Sequence, residues 1–171
     1  AYGIVAQGGN GANPASLTLV NSGTIRGGDA AVVANDQTTT NSTANSATGL
    51  IQGNNTGVFL RGTASLNNAG DIVGGTTGVV LFNTNTNSLT NSGRIASGTI
   101  TGSGAGGAIT VSGGNAVEVA GGAVNNLTGG QILGNTAGIN SSAGTLSVTN
   151  GGLITGAIGI RSSGGTLALT N

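Results

Sequence analysis

Short runs of alternating apolar and polar residues recur along the chain, and glycines separate them. The stretch LNNAGDIVG at 66–74 is one copy of a pattern that returns around six isoleucines, spaced 26, 21, 23, 37 and 22 residues apart. These isoleucines are Ile25, Ile51, Ile72, Ile95, Ile132 and Ile154. Runs of three to five residues with a period of two predict β-strands, and each interior glycine would cost a helix roughly 1 kcal/mol.

Each copy contains three such runs, which in the third copy are 64–67, 71–73 and 79–82. Three strands in so few residues leave no room for paired hairpins. The sequence therefore predicts an all-β parallel β-helix with three short strands per coil and about seven coils. Equivalent positions would lie about 4.8 Å apart along the axis, and the six isoleucines would form a core stack. Two further inward columns are predicted: Val32, Val58, Val79, Val117, Ile139 and Ile160; and Leu19, Leu66, Leu89, Val148 and Leu169.

Asparagine stands four positions before the isoleucine in four copies, and glycine stands two positions before it in all six. The asparagines are Asn21, Asn68, Asn91 and Asn150. Stacked side-chain amides can hydrogen-bond to one another along the axis of a repeating β structure, so these residues predict a structural ladder. The alternative is that asparagine is present only as a residue that tolerates turn conformations.

Two segments interrupt the period and are predicted to project from the solenoid as loops. Segment 34–46 is polar and has no apolar rhythm, and segment 96–115 suggests a small extra hairpin between 99–101 and 108–111. Loops on a repeat scaffold commonly carry binding residues, although neutral insertion is the alternative. The candidate interaction residues are Asp36, Thr38, Thr39 and Thr40 in the first segment and Thr99 and Thr101 in the second. At 125–128, two extra residues predict a local bulge.

The charge pattern excludes several classes of function. Net charge is zero, with four arginines and no lysine, so nucleic-acid binding is not expected. No apolar run approaches the roughly 18–20 residues that span a membrane, so we expect no direct membrane insertion by this segment. The chain has no histidine and no cysteine, and we expect no cofactor, no metal and no catalytic residue. The sequence GGNGAN at 8–13 is similar to a calcium-binding repeat but lacks the aspartate ligand.

The carboxylates do not share a column of the predicted solenoid, so they do not predict paired acid–base chemistry. These residues are Asp29, Asp36, Asp71 and Glu118. Asp71 does share a column with Arg94 of the next coil, and the two predict a solvent-facing ion pair worth about 0–1 kcal/mol. A second surface feature is a row of serine and threonine at outward positions of the leucine-containing strands, which would resemble an ice-binding face; the alternative is ordinary strand exterior.

The frame Asn-Ser-Gly-x-Ile-x-Gly, seen at 21–27, resembles the β-helical passenger domains of bacterial autotransporter (type V secreted) adhesins over almost the whole chain. The resemblance implies a right-handed helix on a bacterial cell surface or outside the cell, held at the outer membrane by a part not present here. It also implies a role in adhesion or self-association.

From these features we expect residues 1–171 to be a single β-helix segment of a longer chain. The expected function is a non-enzymatic structural or adhesive module whose partner is a host or neighbouring-cell surface, protein or glycan, or another copy of itself. Three alternatives remain open: a subunit of an extracellular fibre built by end-to-end stacking, an ice-binding solenoid, and a polysaccharide-active β-helix enzyme.

Overall fold

Three parallel β-sheets wind around one apolar interior, and successive coils of the chain add strands to each sheet in turn. The computed structural model describes residues 1–8, 14–83 and 86–171, and it contains no helix in those residues. The strands of each sheet follow one another along the axis over about seven turns. The predicted fold class, a parallel β-helix with three strands per coil, is therefore confirmed.

The strands are numbered along the chain, and each sheet is named after its inward-facing residues. The valine sheet contains β1 (Ile4–Ala6), β4 (Ala30–Ala34), β7 (Thr56–Arg61), β10 (Thr77–Phe82), β14 (Asn115–Val119), β17 (Ala137–Ser141) and β20 (Ile158–Ser162). The leucine sheet contains β2 (Thr18–Asn21), β5 (Thr40–Asn45), β8 (Thr63–Asn68), β11 (Ser88–Asn91), β15 (Gly122–Asn126), β18 (Leu146–Asn150) and β21 (Leu167–Thr170). The isoleucine sheet contains β3 (Thr24–Gly27), β6 (Leu50–Gly53), β9 (Asp71–Gly74), β12 (Arg94–Ile100), β16 (Gln131–Leu133) and β19 (Leu153–Thr155), and β13 (Ile109–Val111) pairs antiparallel with β12.

The core is built from columns of aliphatic side chains in strict register. The six isoleucines predicted as a stack are direct partners from coil to coil. The predicted valine column is also in register and continues to Ile4. The leucine column has two further members, Thr43 between Leu19 and Leu66, and Val124 before Val148. Burying each such aliphatic side chain stabilises the fold by roughly 1.5–3 kcal/mol.

The corner between the leucine and isoleucine sheets carries a continuous ladder of asparagine amides. Each Nδ2 donates to the Oδ1 of the next coil over 2.7–2.9 Å. The ladder has seven members: the predicted Asn21, Asn68, Asn91 and Asn150, together with Asn45, Asn126 and Asn171. The amide nitrogen of Asn68 also donates to the carbonyls of Gly70 and Arg94, so the ladder satisfies backbone groups of the corner as well.

Asn45 and Asn126 escaped the sequence pattern because their corners are two residues longer. Each donates to a glycine carbonyl four residues ahead, at Gly49 and Gly130, where the shorter corners use the glycine two residues ahead. The two extra residues predicted as a bulge at 125–128 lie in this turn, after the end of β15. The strand end therefore keeps the same position along the solenoid axis within its coil, although the number of residues in the corner varies.

Segment 34–46 was wrongly predicted to be one projecting loop. Residues Thr40–Asn45 form β5, which pairs with β8 over its whole length and with β2 from Ser42 onward. The apolar rhythm is missing because Thr43 fills the position that leucine holds in neighbouring coils, and its side chain is buried there. Only residues 35–39 form a loop.

Segment 96–115 contains the predicted hairpin, but the hairpin folds back on the solenoid and does not project. Residues 98–111, called the strap below, place Ile100 and Ile109 on Leu50 and Val73, which form a small cluster separate from the main core. Because Leu50 and Val73 alternate with the core isoleucines, they face outward and would be exposed without this cover. The strap therefore extends the apolar packing to the outer face of the isoleucine sheet.

We predict that Asn68→Ala lowers the free energy of unfolding by about 2–4 kcal/mol, because it removes a buried amide and leaves groups of both neighbouring coils without a partner. Asn67 is its matched control: it is the adjacent residue, exposed, with no side-chain hydrogen bond to the described residues. Urea unfolding followed by circular dichroism measures both variants. Equal midpoints for Asn67→Ala and Asn68→Ala would show that the ladder is not a stabilising element.

Candidate interaction site

The loop 35–39 lies at the corner between the valine and leucine sheets, beside a much shorter corner. In the following coil the single residue Gly62 makes the same turn, with a φ of +74°. A Cβ at this position would overlap the carbonyl of Thr39 and crowd the carbonyl of Asp36. The loop therefore rests on Gly62, and the difference in corner length leaves a concave surface next to it.

Asp36 holds the loop in shape. Its carboxylate accepts hydrogen bonds from the N–H and the hydroxyl of Thr38, at 2.9 and 2.7 Å, and from the N–H of Ala15 at 3.3 Å. The bond from the Thr38 N–H, followed by that from its hydroxyl, lowers the pKa of the Asp36 carboxyl below its ordinary value. Because the folded-state pKa is depressed, this support is present at neutral pH and is lost as the pH falls through the folded-state pKa.

The candidate interaction residues of this segment thus have structural partners. Asp36 and Thr38 bond to each other, and the hydroxyl of Thr39 donates to the carbonyl of Ala15. Thr40 is the first residue of β5 and pairs with Thr63. These residues position the loop, and the groups that remain free for a ligand lie beside them.

Three side-chain amides line a cavity of about 360 Å³ next to the loop. They belong to Gln7, Asn35 and Gln37, and Arg61 lines the same cavity. No hydrogen bond joins these amide groups to other described residues, and all three amide residues are exposed. Each amide offers a donor and an acceptor, so the cavity presents several unoccupied polar groups on a fixed backbone.

Arg61 lies between two aromatic rings on the outer face of the valine sheet. Its guanidinium carbon is 5.7 Å from the centroid of Phe59 and 5.2 Å from that of Phe82. Phe59 precedes it by two residues on β7, and Phe82 is its partner on β10. Both contacts are within the range of cation–π attraction.

The repeat pattern identifies inward columns. The site residues stand outside those columns, so the pattern does not identify them: they are Gln7, Asn35, Gln37 and Arg61. A signal for Arg61 was nevertheless present. Since Val58 and Val79 share an inward column, Arg61 must stand opposite Phe82 on the outside. No comparable signal places the loop over Gly62, because that contact depends on how two unequal corners pack.

The strap holds the other predicted interaction residues. Thr99 pairs with Thr110 and is exposed, and Thr101 donates to the carbonyl of Ala108. The tip reaches the first coil, where Thr24 and Arg26 donate to strap carbonyls at 2.9 and 2.8 Å. Thr99 and Thr101 do not line the cavity beside the 35–39 loop.

Asp71 and Arg94 form the predicted ion pair, but it does not face solvent as expected. The pair is bidentate, with both nitrogen–oxygen distances 2.6 Å, and the Asp71 side chain is only 4 % exposed. The strap covers it, and the N–H of Gly106 donates to Asp71 at 2.7 Å. The hydrogen bond with Asp71 raises the pKa of the Arg94 guanidinium above its ordinary value.

The remaining carboxylates lie apart from this pair and have amide partners. Asp29 accepts from Asn55, and Glu118 accepts from Asn115. In the described ranges, no group of three or more acidic, histidine or cysteine side chains could hold a metal ion. Of the sequence 8–13, which is similar to a calcium-binding repeat, residues 9–13 lie outside the described part of the chain. Within that part there is no helix long and apolar enough to cross a membrane.

The outer face of the leucine sheet carries two columns of mainly small polar residues. One runs through Thr18, Ser42, Ser65, Ser88, Ala123, Ser147 and Ala168, and the other through Val20, Ala44, Asn67, Thr90, Asn125, Thr149 and Thr170. Alanine interrupts the first column, and valine, alanine and asparagine interrupt the second. The face therefore lacks the uniform hydroxyl spacing that the ice-binding interpretation assumes.

Comparison with protein-family models, with curated proteins and with solved structures finds no match to this chain. The resemblance to autotransporter passengers therefore rests on the repeat pattern alone. The structure by itself establishes a β-solenoid, and a fold of this kind does not specify an activity.

We predict that Arg94→Met destabilises the protein by about 2 kcal/mol or more, since it leaves the Asp71 carboxylate buried without its cation; loss of one partner of a fully buried pair costs about 3–5 kcal/mol. Arg161 is the control, because it is exposed and has no carboxylate partner in the described residues. Thermal unfolding compares Arg94→Met with Arg161→Met. Equal melting temperatures would mean that the pair contributes nothing beyond a surface contact.

We predict that Gly62→Ala displaces the 35–39 loop and destabilises the fold by at least about 1–2 kcal/mol, the usual cost of left-handed backbone for a residue with a Cβ. Gly23→Ala is the matched control, since a Cβ there meets nothing within 4 Å. Digestion by a nonspecific protease reports the release of the loop. If both variants are cleaved at the wild-type rate, the loop does not depend on Gly62.

Proposed function

We propose that this chain is a non-enzymatic adhesive module of a bacterial surface or secreted protein, in which the solenoid is the scaffold and the 35–39 corner is the binding surface. The observation that carries this proposal is the cavity lined by the amides of Gln7, Asn35 and Gln37, which have no hydrogen-bond partner among the described residues. Exposed polar groups held on a rigid framework, without internal partners, are typical of a recognition surface.

The scaffold supports recognition because the elements beneath the cavity are firmly packed. Val32, Val58 and Leu60 are fully buried below this part of the valine sheet. The loop above them is held by Asp36 and by its contact with the turn at Gly62. A partner would therefore meet amides carried on a backbone that is already ordered, which reduces the backbone entropy lost on binding.

The carboxylates support a non-enzymatic role. Asp71 is neutralised by Arg94, Asp36 is occupied by loop hydrogen bonds, and Asp29 and Glu118 accept from neighbouring amides. The arrangement supplies no pair of free carboxylates facing a common cleft, and a glycoside-cleaving site needs two within about 10 Å of the same bond. The polar groups of the cavity are suited to binding rather than to proton transfer.

The proposal is tested with the labelled full chain on arrays of immobilised glycans and extracellular-matrix proteins. We expect specific binding to at least one class, with at least a ten-fold loss for the double variant Asn35→Ala, Gln37→Ala. The matched control is Asn125→Ala, Asn140→Ala, which removes two amides from outer faces away from the cavity.

Binding that is absent from every surface, or that the control variant reduces equally, would refute an adhesive role for this corner. Mass spectrometry of each bound glycan after incubation addresses the other part of the proposal. Release of cleaved products by the pure protein would show that the chain is an enzyme.

A further inference from the structure

We propose that the cavity beside the 35–39 loop binds a carboxylated saccharide, with Arg61 pairing with its carboxylate. This inference rests on the proposed adhesive function and names the ligand class of the same site. It starts from Arg61, a cation that lines the cavity and has no carboxylate within ion-pair distance among the described residues.

The surroundings of the Arg61 guanidinium favour the binding of a planar anion. Phe59 and Phe82 flank it, and its Nε is buried without a hydrogen-bond partner among the described residues. A buried N–H without a partner is costly, and such groups usually have a structural or functional explanation. A guanidinium matches a carboxylate through two parallel hydrogen bonds, and its planar, rigid fork reduces the entropy lost in forming them.

The charge balance of the cavity disfavours a ligand with more than one negative charge. Asp36 lies in the same lining as Arg61, so the two formal charges cancel. Both Asp36 oxygens accept hydrogen bonds, Oδ1 from the N–H of Thr38 in the loop and Oδ2 from the N–H of Ala15 outside it. Asp36 repels a doubly charged phosphate more strongly than a single carboxylate, and one carboxylate can pair with Arg61 and leave the rest of the ligand neutral.

The other lining groups suit sugar hydroxyls and the apolar face of a sugar ring. Hydroxyls both donate and accept, as do the free amides of Gln7, Asn35 and Gln37. A second cavity of about 260 Å³ shares Asn35 and has the aromatic rings of Tyr2 and Phe59 in its lining, together with the polar residues Asp29 and Thr56. The two adjoining cavities fit an oligosaccharide with its acidic unit at Arg61 and a neighbouring unit against the aromatic rings.

Isothermal titration with the full chain tests this inference. The probes are sialyllactose, a hyaluronan disaccharide and a disaccharide of glucuronic acid and xylose, each of which has one carboxylate and is measured beside its methyl ester. We expect at least one acid to bind, with a ten-fold or greater loss on esterification and a similar loss for Arg61→Gln. Arg161→Gln, on the outer face of the same sheet, should bind as wild type, and the melting temperature of each variant separates lost binding from lost folding.

Three results would overturn the inference: esters that bind as tightly as the acids, Arg61→Gln with unchanged affinity and wild-type melting temperature, or no binding by any of the acids at millimolar concentration. Its failure is distinguishable from failure of the adhesive function. Array binding to a neutral glycan or a protein that needs Asn35 and Gln37 but not Arg61 would leave adhesion standing and exclude the acidic saccharide.

Discussion

The whole structure depends on holding successive coils at one spacing, about 4.8 Å, wherever the backbone turns a corner. The asparagine ladder meets this requirement at the corner before the isoleucine sheet. Each amide joins its own corner to the amide and a carbonyl of the next coil, as Asn68 does with Asn91 and Arg94. With the strand ends fixed in height, the isoleucine, valine and leucine columns come into register, and the outward residues come into register with them.

The columns were predictable because a period of two repeated at a fixed offset leaves few arrangements. What the pattern could not give is the number of residues in each corner. Asn45 and Asn126 were missed because the hydrogen bonds constrain where the strand ends and not how long the turn is, so an offset counted from isoleucine fails when the turn lengthens. The strand β5 was missed because Thr43 occupies the position that leucine holds in the neighbouring coils. A buried threonine can replace leucine in one coil when the residues paired with it in the coils above and below remain apolar.

The candidate site was less predictable because it is made by differences between coils. Arg61 contacts Phe82 of the next coil. The 35–39 loop packs against the one-residue corner at Gly62, in the coil that follows the loop. The sequence does contain a signal that the outer face of the isoleucine sheet is covered. Leu50 and Val73 are apolar at positions that alternate with core residues, and two outward aliphatic side chains in neighbouring coils indicate that something packs on them.

The strap makes the two halves of the solenoid mechanically unequal. It leaves the fourth coil through β12, packs on the second and third, and bonds to Thr24 and Arg26 of the first, so four coils share one tie along their outside. In the coils beyond it, from β14 onward, strand pairing connects each coil only with its immediate neighbours. A solenoid stabilised by nearest-neighbour contacts can lose coils one at a time from an end. Under a pulling force the four coils joined by the strap would unfold together, whereas the coils after them would unfold one at a time. The corner that bears Arg61 lies in the half of the solenoid that resists such unfolding.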